Sequence, residues 1–363
     1  MEVKKVLVSA FLLTTCLMSG QAQRRNEIQV PDLDGYTTLK CDFHMHSVFS
    51  DGLVWPTVRV DEAYRDGLDA ISLTEHIEYR PHKQDVVSDH NRSFDLCREQ
   101  AEKLGILLIK GSEITRAMAP GHFNAIFLSD SNPLEQKDYK DAFREAKKQG
   151  AFMFWNHPGW DSQQPDTTKW WPEHTALYQE GCMHGIEVAN GHLYMPEAIQ
   201  CCKDKNLTNN ATSDIHQPNK NHNHYDKLQH STMTFVFAKE RSLQGIREAL
   251  DNRRTAAYFH ELLIGREDLL RPFFEKCVKI EEVSRNEQGV TLSITNVTDL
   301  VLKLKKTAHD TLLVYFRDMT LKPHTRYTVR IGFKQGIKGG DVNFEVTNFI
   351  VAPDKGLKYT ISL

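Results

Sequence analysis

The 363-residue sequence has few cysteines and no excess of basic charge, and each absence excludes a class of protein. The 7 cysteines are widely scattered and include no Cys-x-x-Cys pair, which argues against a zinc-thiolate cluster and a dense disulfide scaffold. The formal net charge of -3 supplies no basic face of the kind that nucleic-acid polymers require. We therefore expect no nucleic-acid polymer as a partner.

Long apolar runs are missing after residue 22, so no later segment is expected to span a membrane. The N-terminal run "VLVSAFLLTTCLMSG" follows Lys4 and Lys5 and precedes Gly20-Gln21-Ala22, a small-x-small cleavage pattern. This arrangement is typical of a signal peptide over residues 1–22 and predicts an exported protein, periplasmic or secreted. Cys16 leaves a lipoprotein alternative open, although Thr15 is a poor residue before a lipidated cysteine.

Short apolar runs alternate with amphipathic stretches from about residue 38 to residue 260. Helical patterns such as "PTVRVDEAYRDG" and "EQKDYKDAFREAKKQG" lie between the runs. Such repetition predicts a parallel sheet, closed or nearly closed as a barrel. We assign residues 23–37 to a linker and 38–277 to this α/β barrel, with "LLIGREDLLRPFFEKC" as a closing helix.

The pattern changes after residue 277 to strands separated by glycine and proline, as in "TRYTVRIGF" and "VNFEVTNFIV". Residues 278–363 are therefore predicted to form a small β-sandwich. This part contains no cluster of metal-ligand residue types, so its expected role is packing, substrate shaping or dimerisation.

The stretch "CDFHMHSVFSDG" contains a His-x-His pair, His44 and His46. With 17 histidines in the chain, chance supplies roughly one such pair, and His222 and His224 form another in a polar loop. Position distinguishes the first pair, because it lies at the end of a predicted strand, where the functional loops of an α/β barrel converge. Other predicted strands end in residues of the same types, namely His76, Glu113, His157, Asp214 and His216.

These motifs, in this order, resemble the polymerase and histidinol phosphatase (PHP) family of metal-dependent phosphoesterases. The matching segments are "DFHMHSVFSDG", "LTEH", "GSEIT", "GHFNAI", "NHPG" and "SDIH". Glu75 in "LTEH" stands where aspartate is more usual. The resemblance implies an α/β fold, a distorted (β/α)7-type PHP barrel followed by a small C-terminal β-sandwich domain, as in exported PHP phosphodiesterases.

The resemblance also implies a trinuclear site for zinc, manganese or iron, since imidazole and carboxylate ligands together suit these metals. Glu113 would bridge two of the ions. The implied ligands are His44, His46, Glu113 and Asp214 for the first ion, Glu113, His122 and His157 for the second, and Asp51, His76 and His216 for the third.

The chemistry that this site implies is hydrolysis of a small phosphorylated substrate by water activated between two ions, with Glu113 and Asp214 at its centre. His192 ends a predicted strand without matching a ligand and is a candidate general acid or a supporting partner of a metal ligand. Positive charge for the phosphate is expected from Arg80, Arg116 and Lys220, although each also fits a solvated surface charge. Four tryptophans suggest either an aromatic wall or ordinary packing: Trp155, Trp160, Trp170 and Trp171.

We favour a phosphodiesterase, because a diester carries one negative charge and the sequence offers few assured cations besides the metals. A phosphomonoesterase and a barrel metallohydrolase acting on a lactone, amide or amine remain alternatives. A noncatalytic glycan-binding protein is a third, but it predicts missing ligands, and every ligand position of the family is filled.

Overall fold

The computed structural model describes residues 24–165, 167–219, 230–307 and 311–363. The predicted signal peptide and Lys220, His222 and His224 lie outside these ranges. Among the helices so described, none combines the length and the apolar character needed to cross a membrane.

An α/β part is followed by a β part. The strands of the α/β part are β1 (Thr37–Met45), β2 (Ala70–Leu73), β3 (Leu107–Ile114), β4 (Phe123–Ile126), β5 (Phe152–Trp155), β6 (Gly185–Asn190), β7 (Leu193–Tyr194), β8 (Thr208–Thr212), β9 (Met233–Ala238), β10 (Thr255–Phe259) and β11 (Leu262–Gly265). Its helices are α1 (Pro56–Arg65), α2 (Arg92–Leu104), α3 (Tyr139–Lys148), α4 (Pro172–Gln179), α5 (Pro196–Lys205), α6 (Leu243–Asp251) and α7 (Glu267–Cys277), with a 3-10 turn at Asn132–Leu134.

The strands form a curved sheet in the order β9, β1, β2, β3, β4, β5, β6 and β8. The curve closes between β8 and its neighbours, where the Thr234 hydroxyl donates to the carbonyl of Ala211 and accepts from its N–H at 2.8 and 2.9 Å. A parallel bridge between Met45 and Ile215 joins the same edges. The prediction of an α/β barrel-like fold with a following β domain is confirmed.

The expectation of a parallel sheet is wrong at several places. Strand β4 runs antiparallel to both β3 and β5, and β9 runs antiparallel to both β1 and β10. The short pairs of β10 with β11 and of β6 with β7 are antiparallel as well. Residues 115–122 are too few for the crossover that two parallel strands need, so β4 must reverse. The beginning of β4 therefore lies at the same end of the sheet as the end of β3. His122, directly before β4, is thereby brought to the level of Glu113 near the end of β3.

The predicted closing helix is also only partly correct, since its first residues form β11 and the helix α7 starts at Glu267. Strand β11 pairs with β10 through a tight turn at His260, whose φ is 54°. The short continuous apolar run in "ELLIG" fits either a strand or a helix, and the pairing with β10 decides for a strand.

The β part consists of two sheets. Its strands are β12 (Val278–Asn286), β13 (Gly289–Asn296), β14 (Leu302–Lys306), β15 (Leu313–Val314), β16 (Asp318–Leu321), β17 (Arg326–Phe333), β18 (Asp341–Ala352) and β19 (Lys355–Ser362). One sheet has the order β12, β13, β17 and β15. The other contains β16, β14, β18 and β19, and β18 pairs in parallel with β11, so this sheet continues the barrel sheet.

One apolar core joins the two parts. Helix α7 lies at the junction, and the ring of its Phe274 is 6.2 Å from that of Phe344 and 5.9 Å from that of Phe349 in β18. The segment before β1 is tied to the β part as well, because Gln29 and Asp299 exchange two hydrogen bonds. The β part is therefore packed firmly against the barrel.

Candidate metal centre

The side chains proposed as ligands lie at one end of the barrel, and each is placed by the end or the start of a strand. His44 and His46 lie at the end of β1, and Glu113 is the second-last residue of β3. Six of the set are buried, namely His44, His46, His76, Glu113, His122 and His157. The partly exposed members are Asp51, Asp214 and His216, so the site opens to solvent on their side.

Three groups of potential ligand atoms occur among the described residues, with all atoms of a group within 4.8 Å of one another. The groups are His46, Asp51, His76 and His216; His44, His46 and Asp214; and His76, Glu113 and His122. They contain most of the sets implied by the family resemblance and differ in detail, since His46 and His76 each belong to two of them. His157 belongs to none, although its Nε2 is 3.6 Å from Glu113 Oε1.

Glu113 is the central carboxylate. One of its oxygens, Oε2, is 2.5 Å from His76 Nδ1 and 3.6 Å from the Nε2 atoms of His44 and His46. The other oxygen, Oε1, is 3.0 Å from His122 Nδ1. A buried carboxylate that reaches several imidazoles with both oxygens has the geometry of a bridging ligand.

Asp51 belongs to the same centre. Asp51 does not cap α1, because Trp55 occupies the cap position of that helix and no side chain caps it. The Oδ1 atom of Asp51 instead lies 3.1 Å from Nε2 of His216 and 3.4 Å from Nε2 of His76.

Several buried polar atoms of the centre make no regular hydrogen bond to any described residue. They are Asp51 Oδ1, Glu113 Oε2, His122 Nδ1, His157 Nδ1 and Asp214 Oδ1. Buried acceptors and donors without partners are costly, and native proteins rarely keep them without a ligand. Because these atoms belong to imidazoles and carboxylates that face one another, the arrangement fits divalent transition metals.

Neighbouring histidines of the centre have opposite pKa shifts. Burial, together with the charges of His76 and His216, lowers the pKa of His46 to about 3. Burial also acts to lower the pKa of His76, but the charge of Glu113 and the hydrogen bond to Asp51 outweigh it and raise the value to about 10. A metal ion would therefore compete with a proton at His76.

The comparison with solved structures identifies the family. The chain is 95% identical, with a TM-score of 0.93, to a two-domain protein of Bacteroides vulgatus ATCC 8482 that contains a predicted PHP-like metal-dependent phosphoesterase. The match covers 94% of this chain and 100% of that one. The chain belongs to the PHP-like metal-dependent phosphoesterases. A comparison with curated proteins finds no match.

One family match and one further similarity to a solved structure were found for this PHP-like protein. Residues 278–362 match a family described as an Ig-like domain, DUF5001. An amidohydrolase of Chromobacterium violaceum, solved with bound sulfate and no metal, is 16% identical with a TM-score of 0.39. That match covers 51% of this chain and 90% of the other.

Glu187 supports the PHP centre and escaped the sequence prediction. Its buried carboxylate accepts from His44 Nδ1 at 2.8 Å, from the Thr212 hydroxyl at 2.6 Å and from the backbone N–H of His157 at 2.7 Å. This contact leaves Nε2 of His44 directed at Asp214, 3.1 Å away. Such outer contacts orient a metal ligand and fix its tautomer. The signal was a glutamate inside the apolar run "HGIEVANG".

Arg59 is a second supporting residue that the sequence prediction missed. Its guanidinium is buried and donates to the carbonyls of His46 at 2.8 Å, His216 at 2.7 Å and Gln217 at 2.8 Å. It also pairs with Glu62 at 2.7 Å. Arg59 thereby joins the first ligand-bearing segment of the chain to the last, and its position on the buried face of α1 was the available signal.

Two more polar residues hold the centre in shape. Glu75, where the family more often has aspartate, accepts from the backbone N–H of Ser47 at 3.1 Å and from the hydroxyl of Ser50 at 2.7 Å. The carboxylate of Glu75 therefore pins the loop that carries Asp51. Asn156 donates to Glu113 Oε1 at 2.9 Å and fixes the rotation of that carboxylate.

The proposed substrate contacts are positioned less favourably. The guanidinium of Arg80 donates to the carbonyls of Val87 and Ser88, and that of Arg116 pairs with Glu78 at 2.7 Å and donates to two further carbonyls. His192 is exposed, its ring lies 6.2 Å from that of His260, and it belongs to none of the three ligand groups. Both arginines therefore stabilise loops through bonds to backbone carbonyls.

Proposed function

We propose that this chain is an exported phosphodiesterase that hydrolyses small phosphodiesters at a centre of up to three zinc, manganese or iron ions. The observation that carries the proposal is the convergence of nine imidazole and carboxylate side chains at one end of the barrel, several with buried atoms that make no regular hydrogen bond to any described residue. Ordinary packing does not explain such a set. Family membership supports the hydrolytic class.

The chain's own residues would perform defined tasks in this reaction. Glu113 would hold two ions together, Glu187 would keep Nε2 of His44 directed inward, and Asp51 with His216 would hold an ion near the opening. Bound ions would activate water and neutralise the charge of the phosphoryl oxygens. The exposure of Asp51, Asp214 and His216 gives a substrate its entry path.

The charge around the centre supports a diester over a monoester. The carboxylates of Asp51, Glu113 and Asp214 form ion pairs with histidines alone in the described part of the chain. Arg80 and Arg116 already bind backbone carbonyls. A monoester dianion would demand further cations. A monoanionic diester is better matched to the metals and histidines.

Metal content and substrate preference test the proposal together. We expect inductively coupled plasma mass spectrometry to find two to three transition-metal ions per chain, by analogy with multinuclear sites of this ligand type. We also expect a higher kcat/KM for bis-p-nitrophenyl phosphate than for p-nitrophenyl phosphate. A strong excess for the monoester would reverse the substrate assignment. Full activity of metal-free, chelator-treated protein would remove the metalloenzyme itself.

Export is supported by the pattern of residues 1–22 and is tested separately. N-terminal sequencing of protein secreted or recovered from the periplasm should show cleavage after Ala22. Retention in the cytoplasm with an intact N-terminus would contradict this part of the proposal and leave the catalytic part unaffected.

A further inference from the structure

Two aromatic side chains flank the metal centre. The ring of Tyr79 lies 5.8 Å from that of His76, and the ring of Trp160 lies 5.8 Å from that of His122 and 5.2 Å from that of His157. The rings of His76 and His122 are themselves 5.8 Å apart. Tyr79, His76, His122 and Trp160 therefore form a continuous row with a metal-ligand pair in the middle.

The other tryptophans that the sequence singled out serve packing. Trp155 is fully buried, and the indole N–H groups of Trp170 and Trp171 donate to Thr175 and Gln164. Trp160 is partly exposed, and the structure shows no hydrogen bond from its indole N–H to any described residue. Of these four rings, Trp160 is the one that contacts proposed ligands.

Tyr79 is 54% exposed, and the two residues before it are held by hydrogen bonds and an ion pair. The carboxylate of the preceding residue, Glu78, accepts from the N–H of Thr115 at 2.7 Å and pairs with Arg116. The N–H of Ile77 donates to the backbone carbonyl of Glu113 at 2.9 Å. A large exposed aromatic ring on a fixed segment is suited to binding, because little entropy is lost when a partner stacks on it.

Apolar side chains are also exposed on the loop that carries Asp51. Leu53 is 54% exposed and Trp55 is 46% exposed, and both lie in the segment that carries Asp51. Phe49 supports Trp55 at a ring distance of 5.5 Å. The loop near the opening of the centre therefore exposes apolar and aromatic side chains, whereas the buried part of the centre consists of ionisable ones.

We propose that Tyr79 and Trp160 form a subsite for a planar aromatic ring on the ester group of the substrate. The inference rests on the proposed function for the position of the phosphoryl group, which the ions at His76 and His122 would hold between the two rings. An aromatic ester group would then stack against Tyr79 or Trp160. Aromatic pairs of this kind contribute about a two- to tenfold gain in affinity for each ring.

Binding of two matched phosphonates to the metal-loaded protein tests the subsite. The methyl monoesters of 2-phenylethylphosphonate and 2-cyclohexylethylphosphonate carry the same single charge and similar apolar bulk, but only the first has a planar ring. We expect isothermal titration calorimetry to show about a tenfold preference for the phenyl compound. Tyr79→Ala and Trp160→Ala should each reduce this ratio about two- to tenfold with metal content unchanged.

Variants separate stacking from general damage. Tyr79→Phe should keep the preference, and Tyr178→Ala, which removes an exposed aromatic on α4, should leave it unchanged. Equal affinities for the two phosphonates in the unaltered protein would overturn the subsite, while turnover of bis-p-nitrophenyl phosphate would still support the phosphodiesterase. A phenyl preference without turnover would keep the subsite and remove the proposed activity. No binding and no turnover would overturn both.

Discussion

The metal end of the barrel and the interior of the β part both bury polar side chains, but these side chains differ in how completely they are hydrogen-bonded. In the β part, the buried amide of Asn296 donates to the carbonyl of Leu300 at 2.6 Å and accepts from the N–H and the hydroxyl of Thr298. At the metal end, Glu113 and Asp214 are equally part of the fold, yet each keeps an oxygen without a regular hydrogen bond to any described residue.

The difference lies in how the unpaired atoms cluster, because at the metal end five of them belong to imidazoles and carboxylates that face one another. A buried group that stabilises the fold has its donors and acceptors paired, as for Asn348, which donates to carbonyls of Glu261 and Val301 and accepts from Lys303. In the metal centre, the carboxylates and imidazoles proposed as ligands instead keep atoms without a regular hydrogen bond to any described residue. Substitutions at the metal end should therefore change metal content and activity, whereas substitutions in the β part should change stability.

The largest effect is expected from Glu113→Ala at the metal end. The change removes the central carboxylate, so at least two ions should be lost and kcat/KM for phosphodiesters should fall about a thousandfold, which corresponds to several kcal/mol. Mass spectrometry of the metals and initial rates measure both effects. Glu135→Ala, in an exposed position, is the control and should change neither. Full metal content in Glu113→Ala would refute the bridging role.

The matching change in the β part is Asn296→Ala. Several backbone groups would lose their partner, so the free energy of unfolding should fall by about 2–4 kcal/mol, measured by urea denaturation. Metal content and KM should stay the same under native conditions. The exposed Asn286→Ala is the control, with an effect below about 1 kcal/mol. A loss of metal in Asn296→Ala would break the distinction between the two regions.

Asp51→Asn tests whether the carboxylate at the opening of the centre is a metal ligand or a structural residue. Replacing a charged ligand by an amide should lower the affinity of one ion about ten- to hundredfold, by analogy with the losses seen when ligand contacts are removed, and leave the other ions bound. Metal titration monitored by calorimetry gives the number of sites. Asp138→Asn is the matched control, because Asp138 is a true helix cap, accepts from the N–H of Lys140 and can be replaced by asparagine. Equal behaviour of the two variants would make Asp51 a structural residue.

The smallest effect concerns His174, a paired histidine in the barrel wall. Burial lowers its pKa to about 4, and its ring contacts the carbonyl of Pro120 at 2.7 Å and the N–H of Trp171 at 3.1 Å. An ordinary histidine has a pKa of about 6.5, so below about pH 6.5 His174 binds a proton in the unfolded chain but stays neutral in the folded chain. Stability should therefore fall as the pH falls from about 6.5 to about 4, by about 2 kcal/mol at pH 5.

Urea denaturation at pH 7 and pH 5 measures this loss. His174→Gln should be less stable than the unaltered protein at pH 7 but should lose less stability between the two pH values. The exposed Asn286→Gln, which involves no titratable group, is the control and should leave the pH dependence unchanged. Parallel pH profiles for the unaltered protein and His174→Gln would show that His174 does not contribute.

The sequence predicts the general fold and most of the candidate ligands from local patterns, whereas Asp51 and His122 follow from the family resemblance alone. Apolar runs mark strands, and polar residues such as His44, His46 and Asp214 stand out where those runs end. The direction of β4 and the start of β11 depend on neighbouring strands, so periodicity alone does not determine them. The ligand role of each residue, the number of ions and the diester preference stay predictions.

The supporting residues are harder to predict for a different reason. Glu187 and Arg59 are informative only because of what they contact far away in the chain, Glu187 at His44 and Arg59 at His216. A glutamate inside an apolar run and an arginine on the buried face of a helix show that a buried partner exists. They do not show which residue it is.

The parallel pairing of β18 with β11 has a consequence for the boundary between the two parts. Leu263 and Ile264 of β11 pair with Phe349 and Ile350 of β18, so the outer edge of the barrel sheet is covered by a strand from near the end of the chain. A fragment ending at Cys277 would leave that edge open, with apolar side chains and backbone groups available to other chains. Open edges of this kind promote self-association. We therefore expect such a fragment to aggregate more readily than the full chain.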